Sequence, residues 1–206
     1  MDRKLAKGEA TRAHIITTAT GLFATAGYEA TSIETVLAKS GISRGALYHH
    51  FENKEALFVA VFETIEARIA QATVEASRGI ADRIEAMRVG AEAFLDLSHD
   101  PAIRQIALID APAVLGWRKW RDIDARYAFG LLKSSLKAAA AAGRLRPELV
   151  DNFAHVLLAA MLEIALVIAR AENPRTAAKL GRTTLKELID RLLGPPARRS
   201  ARRKSR

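Results

Sequence analysis

The tightest constraint on how this chain folds is a run of helix stop and start signals in residues 30–58, ATSIETVLAKSGISRGALYHHFENKEALF. Thr31 or Ser32 can cap a helix, Thr31 forming a capping box with Glu34, and Gly41 supplies the left-handed residue that ends it. Ser43 can cap the next helix and Asn53 the one after. At about 100° per residue, Leu47 and Phe51 fall on one side, preceded by Ile42, where they can pack on Ile33, Val36 and Leu37. Gly45, Ala46 and His49 then point away from that core, with Arg44 and Tyr48 on one edge of the exposed face and His50 on the other. Two short helices joined by a turn at Gly41, the second presenting small and hydrogen-bonding side chains outward, make a helix-turn-helix.

The rest of the chain also reads as helices. Half of its 206 residues are hydrophobic but only 6% are aromatic, so the core is built from Ala, Leu, Ile and Val, which favours packed helices over sheet. Ile15, Ile16, Ala19, Leu22, Phe23 and Ala26 form a helical stripe within residues 9–26, ending before Gly27. Asp100-Pro101 and Asn173-Pro174 each pair a capping side chain with proline at the first helical position, and Gly143 and Gly194 mark helix ends. Helices are expected near 53–76, 82–98, 101–115, 117–142, 147–171 and 174–193. No alternating strand pattern competes, so the fold class is all-α.

Charge and chemistry exclude several classes. Six of the basic side chains that make up the +9 net charge lie in residues 194–206, GPPARRSARRKSR, leaving +3 for the remainder. That tail, proline-bearing and without large apolar residues, is expected to be disordered. There is no cysteine, so disulfides, zinc ribbons and cysteine nucleophiles are excluded, and a reducing cytoplasm is compatible. No GxGxxG, GxxxxGK[ST] or HExxH motif occurs. His49 and His50, adjacent on a helix, diverge too far to share a metal, and no metal or other cofactor is expected. The apolar run 156–169 is 14 residues long and holds Glu163, too short to span a bilayer, which takes about 20 residues.

Residues 30–58 resemble the N-terminal DNA-binding domain of the tetracycline-repressor (TetR) family of bacterial transcriptional regulators. The resemblance rests on Thr31-Ser32, Ser40-Gly41-Ile42-Ser43, Gly45, Leu47-Tyr48, His50-Phe51 and Lys54 followed by Leu57. Val36-Leu37 stands where members often have Ile-Ala, and Ser40 where they often have Ala, so Leu37 adds bulk between the two helices. The resemblance implies a DNA-binding domain over residues 8–60 and a helical ligand-binding and dimerisation domain over 61–193, and the basic tail read from composition follows over 194–206. It further implies a homodimer on double-stranded operator DNA and a small hydrophobic or amphipathic inducer.

Side-chain chemistry assigns roles within that frame. Gly45 and Ala46 let the helix approach base edges, and Ala46 can touch a thymine methyl. Arg44 can make two hydrogen bonds to guanine or anchor a phosphate. By resemblance Tyr48 and His50 touch backbone or nearby bases, Lys54 meets a phosphate, and Thr31 and Ser32 add phosphate contacts to their capping roles. Ser43 and His49 complete the expected DNA face.

A ligand pocket is placed among Phe94, Asp110, Trp117, His155 and Met161, but the favoured reading of Trp117 is a plain core contact and that of His155 a satisfied core histidine. Leu157, Met161 and Ile164 of one helix and Leu185, Leu188 and Leu192 of the next are expected at the dimer interface; packing within one subunit is the alternative. The rival function is a nonspecific, nucleoid-like DNA binder using the arginine tail.

Overall fold

Residues 3–193 are described by the computed structural model; the basic tail and the helix end expected at Gly194 lie outside them. The order of elements is α1 (Arg3–Ala30), α2 (Ile33–Ser40), α3 (Arg44–His50), α4 (Lys54–Ala76), α5 (Arg83–Leu97), a π-helical segment (Ile103–Asp110), α6 (Ala111–Ala141), a 3₁₀ turn (Pro147–Leu149), α7 (Val150–Arg170) and α8 (Pro174–Leu193). No strand occurs among the described residues.

The helix-turn-helix forms where the capping signals place it. Ser32 Oγ accepts the Thr35 N–H at 3.0 Å, Ser43 Oγ that of Ala46 at 3.2 Å, and Asn53 Oδ1 that of Ala56 at 2.8 Å. Gly41 adopts φ 68° and closes α2 by donating its N–H to Leu37 O at 3.0 Å. A side chain there would strain the left-handed backbone. Leu47, Phe51, Ile33 and Val36 are buried, with Leu37 and Ile42 packed beside them. They join Ile15, Ala19 and Phe23 of α1 and Leu57 and Phe58 of α4 in one core.

The capping box expected from Thr31 and Glu34 does not form. Ser32 is the cap, while Thr31 is buried and its hydroxyl donates to Gly27 O at 2.8 Å. Glu34 turns outward to Arg44 instead. Gly27 itself lies at φ 78°, breaking the last turn of α1 close to where the stripe ends.

In the larger half, Asp100 caps its helix as expected, its Oδ1 accepting the Ala102 and Ile103 N–H groups at 2.9 and 3.1 Å, and Asn173 Oδ1 accepts that of Thr176 at 3.1 Å. The expected division between helices 101–115 and 117–142 survives as a break at Gly116, φ 72°. The π-helical turn over 103–110 has no counterpart in the sequence pattern, which reads as ordinary helix there. α5 and α6 pack on α4, α7 packs on α6, and α8 packs on α5 and α7, with α7 burying Leu157, Leu158, Met161, Ala165 and Ile168. Pro147–Arg170 is long and apolar enough to cross a membrane by composition alone, yet one side of it lies in this core.

α8 reaches α7 closely because Gly181 has no side chain: a Cβ there would lie 2.8 Å from Ile164 and 2.9 Å from Ile168. Leu185, Leu157 and Met161 are buried within the same subunit, and Ile164, Leu188 and Leu192 are partly buried against it. Leu157, Met161 and Leu185 of the stripe expected at a dimer interface are thus buried within one chain, whereas Ile164, Leu188 and Leu192 keep part of their surface exposed.

Candidate nucleic-acid interface and core cavity

Capping, glycine geometry and apolar anchoring combine to push one face of α3 into solvent. Ser43, Arg44, Gly45, Tyr48 and His49 are exposed, while Ala46 and His50 are half-buried. Backbone and small side chains are thus within reach of a groove, with hydrogen-bonding groups around them. His49 and His50 sit with ring centroids 5.2 Å apart, and among the described residues no cluster of metal-ligating side chains occurs.

Two charged residues of this face are already engaged. Arg44 Nη2 lies 2.8 Å from Glu34 Oε1, both side chains being exposed. The Glu34 carboxyl is held below its usual range by its own backbone amide and then by Arg44. Lys54, the first residue of α4, places Nζ 4.0 Å from the centroid of the Tyr28 ring. Tyr28 in turn meets Phe58 edge-on at 4.9 Å. A cation over an aromatic face is held at modest strength, so Lys54 is positioned at the helix start. The side chain of Thr31, by contrast, is buried and spends its hydroxyl on Gly27, which keeps it from the surface assigned to it.

The second site is a cavity of about 140 Å³ between α4, α5, α6 and α7. Phe94 and Met161 line it, together with Met87, Tyr127, Leu131 and Leu158. Two acids missed at the sequence level also line it: Glu66 from α4 and Asp124 from α6. Glu66 is only 6% exposed. Burial, reinforced by Asp124, pushes its carboxyl up to about 8. Asp124 is raised by burial to about 6, opposed by Arg121, whose Nη1 lies 3.5 Å away. The signal for Glu66 was present, since it shares a helical face with Phe62, Ile65 and Ile69.

The other three residues assigned to the pocket lie elsewhere. Trp117 is 67% exposed, its ring 5.1 Å from that of Trp120, which is the tryptophan that enters the core. His155 is exposed, its ring tilted against that of Phe129 with centroids 4.4 Å apart, and so is neither a core histidine nor a cavity wall. Asp110 sits at the junction between the helix-turn-helix and the larger half. Its Oδ2 accepts the Tyr28 N–H at 2.8 Å and its Oδ1 accepts Gln105 Nε2 at 2.9 Å. The π-helical turn ends on this residue and aims it at the broken end of α1.

Comparison with known proteins agrees with this geometry. Residues 15–61 match the family model described as bacterial regulatory proteins, tetR family, and residues 84–192 match the one described as tetracyclin repressor-like, C-terminal domain. The chain is 24% identical over 152 residues to the transposon Tn10 TetC protein of Escherichia coli, covering 74% of this chain and 77% of that one. A crystal structure of a TetR-family transcriptional regulator from Pectobacterium atrosepticum is 31% identical, with a TM-score of 0.80, covering 95% of this chain and all of the other. AibR in complex with isovaleryl coenzyme A and operator DNA shares the fold at 22% identity, with a TM-score of 0.62 and 90% and 99% coverage. A helix-turn-helix, a helical half matched across its own family model and a close structural neighbour converge: this chain belongs to the TetR family of DNA-binding transcriptional regulators.

Proposed function

We propose that the protein binds a palindromic operator as a homodimer and represses transcription until a small hydrophobic or amphipathic molecule enters the core cavity and releases it. The observation that carries the DNA half of this reading is the exposed face of α3, held outward by its Ser43 cap and the Gly41 turn. Residues 8–60 act as the reading head and 61–193 as the ligand-binding and dimerisation part. Arg44, Gly45, Ala46, Tyr48 and His49 face the groove, and Ser32, Ser43, His50 and Lys54 meet its walls. No cofactor enters the mechanism, and the site of action is chromosomal DNA in the cytoplasm. AibR, whose structure holds both an acyl coenzyme A and operator DNA, supports a fold able to carry both partners.

Dimerisation is supported by apolar groups left open on α7 and α8: Val156 is 54% exposed, Val167 57% and Leu180 62%. These three, rather than the buried leucines beside them, are the residues we assign to the contact. Isolated exposed apolar side chains are ordinary; three on two adjacent helices suit a second copy packing there.

The basic tail supports the rival reading of nonspecific binding. Selection of bound DNA from a fragmented genome by the purified full chain separates the two. Sequence-specific reading gives an inverted repeat whose recovery is lost in Tyr48→Ala and retained without residues 194–206. Recovery without any shared motif, abolished by removing the tail, would favour the nonspecific binder.

A further inference from the structure

The cavity polarity is unusual in sign. Three of its hydroxyls are spent on their own helices: Ser135 Oγ donates to Leu131 O at 3.2 Å, Thr73 Oγ1 to Ile69 O at 2.6 Å and Ser77 Oγ to Thr73 O at 3.1 Å. Asp124 Oδ2 has the Arg121 ion pair but no hydrogen bond. Glu66 makes no hydrogen bond or ion pair with any described residue. Two carboxyl groups thus face an apolar space, one of them without any partner. Leaving a buried polar group unsatisfied is costly, and a cationic donor is the one partner that would serve Glu66 and the neighbouring Asp124 carboxylate together.

We propose that the cavity takes a compact organic cation, a protonated amine on an apolar body about one ring in size, with the amine seated between Glu66 and Asp124. The inference rests on the reading of this cavity as the ligand site. Its size fits: about 140 Å³ is close to the roughly 150 Å³ that admits a benzene-sized molecule. Its walls fit too, since Phe94, Met87 and Leu131 offer apolar cover and the Tyr127 ring offers a face for a cation. Of the charged groups nearby, Arg121 already offsets Asp124, Arg83 is exposed at the rim, and Glu63 and Arg126 pair with each other beyond Tyr127 at 2.6 Å. Glu66 is therefore the group that discriminates.

Entry of a cation changes the protonation state as well as the contacts. At pH 7 the empty cavity holds Glu66 mostly neutral and Asp124 mostly ionised. An ammonium group beside Glu66 favours its charged form, so the carboxyl gives up its proton to solvent as the amine binds. A neutral ligand releases none, and an anion is opposed by Asp124.

Three probes with a common ring and two-carbon frame test this: 2-phenylethylamine, 2-phenylethanol and phenylacetate, titrated calorimetrically into the full chain at pH 7 in two buffers of different ionisation enthalpy. The amine should bind at least roughly tenfold more tightly than the alcohol, as expected for a charge-assisted hydrogen bond, and phenylacetate most weakly. Amine binding should release up to about one proton and alcohol binding none. Glu66→Gln should keep the affinity for the alcohol while losing both the preference for the amine and the proton release. Alcohol or phenylacetate binding as tightly as the amine would overturn the cation preference and leave the cavity as a ligand site. An unchanged amine preference and proton release in Glu66→Gln would overturn the role of Glu66. Binding of none of the three would remove the cavity as the site, and this inference with it.

Discussion

If Arg44 reads DNA as proposed, it must exchange one partner for another. Its ion pair with Glu34 is exposed on both sides, and exposed pairs are weak and screened by salt, so the guanidinium can leave for a base edge at little cost. Arg44→Ala is expected to weaken operator binding roughly 5- to 150-fold and to relax preference at one base pair per half-site; an unchanged preference in binding-site selection would refute this. Glu34→Gln should strengthen binding by freeing the arginine and removing a negative charge from the face. The pairing was not legible beforehand, because residues ten apart on different helices are joined only by the turn between them. Glu66 was more legible, lying on the buried stripe of α4, and it makes stability depend on pH. Its folded value of about 8 exceeds the ordinary carboxyl value of 4.5, so the folded state holds the proton more tightly than the unfolded chain. Stability is full below the unfolded value and falls as pH rises toward 8, by at most about 1.4 kcal/mol per pH unit. Asp124, raised to about 6, adds a loss of the same sign over a lower window. Glu66→Gln should flatten the fall between pH 5 and 8 in denaturant titrations; an unaltered profile would show that this carboxyl is not the source.

At the scale of elements, the short helices were legible because their ends are chemically marked. Ser32, Gly41, Ser43 and Asn53 act through local bonds that any fold must make at a helix end. The π-helical turn was not, since its apolar residues Ile103, Ile106 and Ala107 keep the i, i+3, i+4 spacing of an α-helix although the wider turn rotates the residues beyond it. That rotation carries Asp110 away from the cavity and onto the Tyr28 amide, fastening α1 to the larger half. Asp110→Ala removes the acceptor for Tyr28 N–H and is expected to cost about 1–3 kcal/mol of unfolding free energy, with faster hydrogen exchange at the Tyr28 amide. Loss of stability without faster exchange there would place the effect elsewhere. The α8 leucines show the opposite limit of sequence reading. Their spacing correctly announced a tight helix–helix contact, but periodicity carries no information on which chain supplies the partner. Only the burial of Leu185 and the Gly181 approach to Ile164 and Ile168 assign it to the same subunit.

For the whole molecule, α4 is the element that both halves share. Its first turns pack Leu57 and Phe58 into the helix-turn-helix core, its later turns carry Glu66 and Ile69 along the cavity, and the surface pairs Lys119–Glu55 at 2.7 Å and Arg126–Glu63 at 2.6 Å tie it to α6. On the proposed reading, a ligand that changes the width of the cavity would move α4 and, through the helix-turn-helix core it shares, the position of α3. In a dimer the two heads must stand about 34–36 Å apart to enter successive major grooves, so small tilts alter affinity. Leu180→Glu or Val167→Glu should give monomers by sedimentation, because each sets a carboxylate in the apolar contact. Operator affinity should fall with it, as the second half-site is no longer held at high effective concentration; a dimeric Val167→Glu protein would move the contact elsewhere. The regulatory consequence comes from linkage. In the proposed dimer a ligand would shift the equilibrium between two head spacings only by its difference in affinity for them, and a coupling of about 1–3 kcal/mol would lower operator affinity 5- to 150-fold. DNA must weaken the ligand by the same factor. Calorimetric titration of a cavity-binding molecule into the free dimer and into the operator complex should therefore give two affinities differing by the factor that the ligand imposes on DNA binding. Equal affinities would mean that occupation of the cavity does not reach the heads, and that α4 carries no signal.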